Sequence, residues 1–194
     1  MIDERELSAA DEALRARNTI FGVRLFIGAD ASFFLAFVFA YLYLKTIDTP
    51  DLWTGSGQGG STLLGALGAV ALVVGTVTTW MGARGAREGV AGRWRTGAGV
   101  AVLTGVVALV AMAVQLWTLG YNPSGLDSVL IGWTAALGLH VLVVTALLVG
   151  SALEPRPVGP LAPIDLASLE AISWVWGFLA AVGVLGFVLL DIIR

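Results

Sequence analysis

The sequence contains no cysteine and one histidine, His140, and only 13% of its 194 residues carry a formal charge. Without thiols there are no disulfides, thiolate metal ligands, iron–sulfur clusters or cysteine nucleophiles. With one imidazole, the chain cannot supply alone a haem or copper site that needs two. Soluble domains carry about 25% charged residues, and here there is about half of that, gathered in clumps. Hydrophobic residues make up 57% of the chain and mean hydropathy is +0.87. This is the composition of an integral membrane protein. A glycine-rich phosphate loop, a nucleophile–base pair and a metal-ligand set are also missing, so no catalytic, cofactor-binding or metal residue is assigned. The net charge of −3 is too small to argue for or against a polyanionic partner, and no nucleic acid is expected. The polar, acidic N-terminus lacks an apolar core, so no cleaved signal peptide is expected.

A bilayer core needs about 20 apolar residues in helical form. Five stretches qualify, over residues 20–44, 62–82, 97–118, 128–153 and 171–193. The segments between them carry turn formers such as Pro50, Asn122-Pro123 and four prolines between residues 155 and 163. Barrel strands would alternate polar and apolar residues; these runs do not, which leaves helices as the spanning structure. The expectation is an all-α, polytopic bundle of five transmembrane helices over residues 20–194, behind a cytoplasmic N-terminal segment at 1–19. In that segment Ser8 and Asp11 form a candidate capping box. Nine of the 11 basic residues fall on one side: Arg5, Arg15, Arg17, Arg24, Arg84, Arg87, Arg93, Arg95 and Arg156. Only Lys45 and Arg194 fall on the other. The positive-inside rule therefore puts the N-terminus in the cytoplasm and the C-terminus outside.

Ionisable groups within these runs need a reason, since each costs about 2.5–3.5 kcal/mol on insertion scales. Asp30 stands about 9 Å into the first run, in a small-residue patch (Gly28, Ala29, Ala31, Ser32) that lets another helix approach. It reads either as a proton-exchanging carboxylate or subunit contact, or as a protonated Asp hydrogen-bonded across a helix interface. The second kind is commoner. His140, near the middle of the fourth run, reads as a packed, hydrogen-bonded histidine more readily than as a metal ligand. Gln115 reads as interhelical glue. The tryptophans at 53, 80, 94, 117 and 133 fall near expected interfaces, as aromatic belts do, and Trp174 and Trp176 read similarly.

These residues bring a family into view. Leu25-Phe26-Ile27-Gly28-Ala29-Asp30-Ala31-Ser32-Phe33-Phe34, running on to Ala40-Tyr41, resembles the pattern L-F-x-x-S-E-x-x-F-F…G-x-F-x-A-F/Y of subunit III of haem-copper oxidases. Asp30 falls on that family's intramembrane glutamate. Thr79-Trp80 and Arg87-Glu88-Gly89 are similar to T-W-A-H-H…M-E-G-D-R. Gln115 matches the Q of Q-x-x-E-Y, and Thr134 to Val141 resembles T-G-F-H-G-L-H-V with His140 on the second histidine. Glu170 to Phe178 is similar to E-A-A-A-W-Y-W-H-F. The matches are collinear and cover the whole membrane portion, and five spans suit the short bacterial form. The departures are Asp30 for Glu, Leu137 for the first His, Thr118 for the Glu of Q-x-x-E, and loss of the last helix's His, Asp and final Trp at Gly177, Ala180 and Gly183.

The resemblance implies an accessory, non-redox subunit of a terminal oxidase in a bacterial cytoplasmic membrane. Haems and copper would sit in the catalytic subunit I and in subunit II, with small subunits and membrane lipids as further neighbours, bound phospholipid among them. Its expected work is assembly, lipid contact and proton uptake during O₂ reduction. Asp30, His140, Gln115 and Glu170 are the buried polar or interface candidates. Rival readings are a homologue serving a nitric oxide reductase or another haem-copper enzyme, a small transporter, and an assembly protein that leaves the mature complex.

Overall fold

The computed structural model describes residues 4–47, 60–119, 124–154 and 161–193. Trp53, Pro50, Asn122, Pro123, Arg156 and Arg194 lie outside the described residues. Among the described residues there are five α-helices: α1 (Glu4–Thr46), α2 (Thr62–Arg87), α3 (Ala91–Leu119), α4 (Gly125–Leu153) and α5 (Pro163–Gly186). A π-helical segment, Phe187–Ile193, extends α5. All five helices are long and apolar enough to cross a membrane. Their outward faces carry apolar side chains such as Leu67, Val70, Leu103, Val106 and Leu147, all exposed. In water that surface would be a liability; against acyl chains it costs nothing. The chain is an all-helical protein with the build of a multi-pass membrane protein.

The helix ends follow local chemistry. Ser61 caps α2 by accepting from Leu64 N at 3.4 Å. Ser124 and Asp127 form a capping box on α4, with Asp127 N donating to Ser124 Oγ at 3.1 Å. Pro163 opens α5, where its missing N–H costs nothing. The α2–α3 turn closes as a Schellman motif: Val90 N donates to Gly85 O at 2.9 Å and Gly89 N to Ala86 O at 3.1 Å. Gly89 takes φ = 79° there, a left-handed conformation that side chains resist.

The expected capping box at Ser8 does not form. Residues 4 to 46 contain no proline, so one helix of 43 residues, about 65 Å long, runs through Ser8, Asp11 and on into the first span. Asp11 instead pairs with Arg15 one turn on, at 2.8 Å. This long helix leans on α4 and α5, while α2 and α3 form the tightest pair.

The interior is built from tryptophans set against glycines. Trp176 is fully buried, and its Nε1 donates to Leu72 O at 3.1 Å. A β-carbon at Gly105 would stand 2.8 Å from its ring, and one at Gly75 would also strike the ring. Trp94 and Trp133 are buried as well, at 0% and 3% exposure. The belt expectation therefore fails for Trp94, Trp133 and Trp176, because small residues on neighbouring helices open niches that indoles fill. Trp80, Trp117 and Trp174 do face outward.

Candidate functional site

Asp30 and His140, which the sequence presents on separate helices, meet. His140 Nε2 lies 3.2 Å from Asp30 Oδ1, linking α1 to α4. On its other side, His140 Nδ1 lies 2.7 Å from Ala136 O, one turn earlier on α4. A carbonyl only accepts, so Nδ1 carries the hydrogen. Nε2 then either accepts from a protonated Asp30 or donates to its carboxylate. Both arrangements hold one shared proton and no net charge, which answers the cost of placing these groups in a bilayer.

Aromatic rings wall the pair. Phe34, buried at 2% exposure, sets its ring 5.7 Å from the imidazole, and Phe33 lies at 6.3 Å. Both histidine nitrogens are engaged, so this rotamer turns no lone pair toward a metal. Among the described residues no group of three His, Asp or Glu side chains is placed to hold a metal ion. Asp30 Oδ2 is buried and has no hydrogen-bond partner among the described residues. A water enclosed within the bundle can bond there.

Toward the arginine-rich end a second set of motif residues gathers between α2 and α5. Arg87 reaches Glu170 at 2.6 Å through both Nε and Nη2. Trp80 Nε1 donates to Ser173 O at 3.3 Å, and Ser173 Oγ donates to Thr79 O at 3.4 Å. Arg24 of α1 lies over the ring of Trp174, 5.4 Å from its centroid, a cation–π contact. Arg93 pairs with Glu88 at 2.9 Å, and Arg95 donates to Glu154 O at 3.3 Å. The basic residues thus ring one end of the bundle. Lys45 stands at the opposite end, donating to Ile193 O at 3.4 Å.

Gln115, the fourth candidate, belongs to that opposite end. It is 4% exposed and shares a small cavity with Leu130, Trp133 and Asp191. The structure therefore joins Asp30 to His140 and places Glu170 near the arginine-rich end, but keeps Gln115 apart from all three. Sequence reading passed over two buried carboxylates, Asp127 and Asp191, exposed by 1% and 7%. Their only signal was an acid at the margin of an apolar run. No protein-family model matches this chain, and no curated protein matches it.

Proposed function

We propose that this chain is an accessory, non-redox subunit of a haem-copper terminal oxidase, with its arginine-rich end in the cytoplasm. The carrying observation is the Asp30–His140 contact at 3.2 Å. Each residue was picked by a different motif of the subunit III resemblance, 110 positions apart in the chain, and the two motifs meet at those side chains. The same convergence holds for Arg87 with Glu170 and for Thr79-Trp80 with Ser173. The departures also fit one another. Leu137 and Gly183 replace a histidine and a tryptophan of the family pattern and face each other, since a β-carbon at Gly183 would meet Leu137 at 3.7 Å.

On this reading the haems and copper belong to partner subunits. This chain contributes an intramembrane proton-sharing pair and a surface for the catalytic subunit. Purifying the chain from its native membrane should bring haem-containing partners and O₂-consuming activity with it. A preparation without haem protein sinks the proposal, and one that consumes NO rather than O₂ moves it to the reductase branch. In the intact complex, Asp30→Asn should leave assembly in place and shorten the number of turnovers before inactivation. Unchanged pumping and turnover lifetime would remove Asp30 from the mechanism.

A further inference from the structure

Near the end opposite the arginines, α2 to α5 come together without filling the space between them. A cavity of about 40 Å³ remains, lined by Gly65 and Gly68 of α2, Gln115 of α3, Trp133 of α4, and Gly186 and Asp191 at the end of α5. Its lining is unlike the rest of the interior. Asp191 and Gln115 are both more than nine-tenths buried. Trp133 is 3% exposed, and its indole Nε1 has no hydrogen-bond partner among the described residues. That nitrogen stands over Gly186, where any β-carbon would collide with it.

On the α2 side the same side chains pack directly against glycines. A β-carbon at Gly60 would lie 2.6 Å from Gln115 Nε2 and 3.0 Å from Asp191 Oδ1, and one at Gly65 would strike Asp191 Oδ2. An amide, a carboxyl group and an indole N–H therefore converge on one space. The π-helical turn that carries Asp191 is a rare geometry, found often at functional sites. A buried indole N–H without an acceptor is costly, and an apolar guest would leave it so. A bare cation is opposed by the same N–H dipole.

Water suits all three groups. A water needs about 10–15 Å³ and two to four polar partners, and this cavity of about 40 Å³ has that room. We propose that it is a water-binding site, in which ordered water links the Asp191 carboxyl group to Gln115 and to the indole N–H of Trp133. The site keeps a hydrated carboxyl group inside the bundle, with Phe34 between its Trp133 wall and His140. It does not depend on the oxidase reading, since it is argued from the cavity and the indole N–H alone; of its three polar groups only Gln115 belongs to a matched motif.

X-ray radiolysis in H₂¹⁸O tests it on the full chain in lipid nanodiscs. Bound internal water generates hydroxyl radicals in place, so Trp133 should be oxidised with ¹⁸O incorporation several-fold above Trp176. Trp176 is equally buried but has its Nε1 bonded to Leu72 O. Equal yields at the two tryptophans overturn the proposal without any variant. Gly68→Ala gives a second arm. Gly68 lines the cavity, and a β-carbon there meets nothing within 4 Å, so the methyl group enters open space. In a dry void that methyl would raise Tm, because alanine favours helix over glycine. In a hydrated site it displaces water, so Tm falls by several degrees and Trp133 oxidation drops several-fold. A rise in Tm, or Trp133 labelling that stays at the wild-type level in the variant, overturns the proposal.

Discussion

The two ends of this bundle both bury polar groups, and those at one end line a small cavity. Toward the arginine-rich end, side chains answer one another. Asp30 meets His140, Arg87 meets Glu170, and Ser173 meets Thr79 O. At the other end, Asp191, Gln115 and Trp133 line one small cavity and pack against glycines. A pair that shares one proton is neutral and can stay dry, whereas a buried indole N–H with no partner among the described residues calls for an acceptor, which water can be. The difference teaches that burial alone does not mark a site's chemistry; what fills the distance between the groups does.

The largest blow to the directly packed half should come from Trp176→Ala. The indole is fully buried against Gly75 and Gly105, and its N–H is bonded to Leu72 O. Glycines cannot close around the void, so the loss should be about 3–5 kcal/mol, measured by reversible unfolding in mixed detergent micelles. A loss below about 1 kcal/mol would mean that the niche collapses. The contrast in packing between the two halves would then be weaker than the structure implies.

The Asp30–His140 pair should give the next effect, and a double-mutant cycle isolates it. Asp30→Leu leaves an imidazole without its partner, and His140→Leu leaves a buried carboxyl group. Each should cost about 1–3 kcal/mol. The double variant should cost less than the sum, because replacing both partners with apolar groups removes the unpaired group. Strict additivity in the same unfolding assay would show that the two side chains do not share a proton in the folded protein.

Much of the fold was legible before any coordinates. Runs of apolar residues long enough for a bilayer give five helices because a bilayer leaves the backbone no other partner than itself. Asp30 and His140 stood out for the same reason, as ionisable groups among apolar ones. Their contact was not legible, since it depends on how α1 and α4 rotate about their axes. Hydropathy is blind to that rotation. The burial of Trp94, Trp133 and Trp176 was missed because belt reasoning treats tryptophan as an interfacial residue, whereas glycines on α2 and α3 make room for Trp176 inside. Asp191 was missed because an acid near the end of a span reads as solvated. A π-helical turn that tucks it inward leaves no mark in the pattern of residues.

The smallest effect should come from Glu170, and its size bears on how the arginine-rich end holds together. Its contact with Arg87 is short, at 2.6 Å, but the two side chains are 25% and 57% exposed. Solvent and salt screen such a pair, so Glu170→Gln should cost only about 0.2–1 kcal/mol, and less as ionic strength rises. The two ends then differ in kind, since Gly68→Ala at the hydrated end should show no such dependence on salt. Measuring both variants at low and high salt makes the contrast direct. If Glu170→Gln matches the loss seen for the Asp30–His140 pair, and salt does not reduce it, the Arg87 contact is shielded from water. The arginine-rich end would then be a second buried polar site rather than a solvated rim.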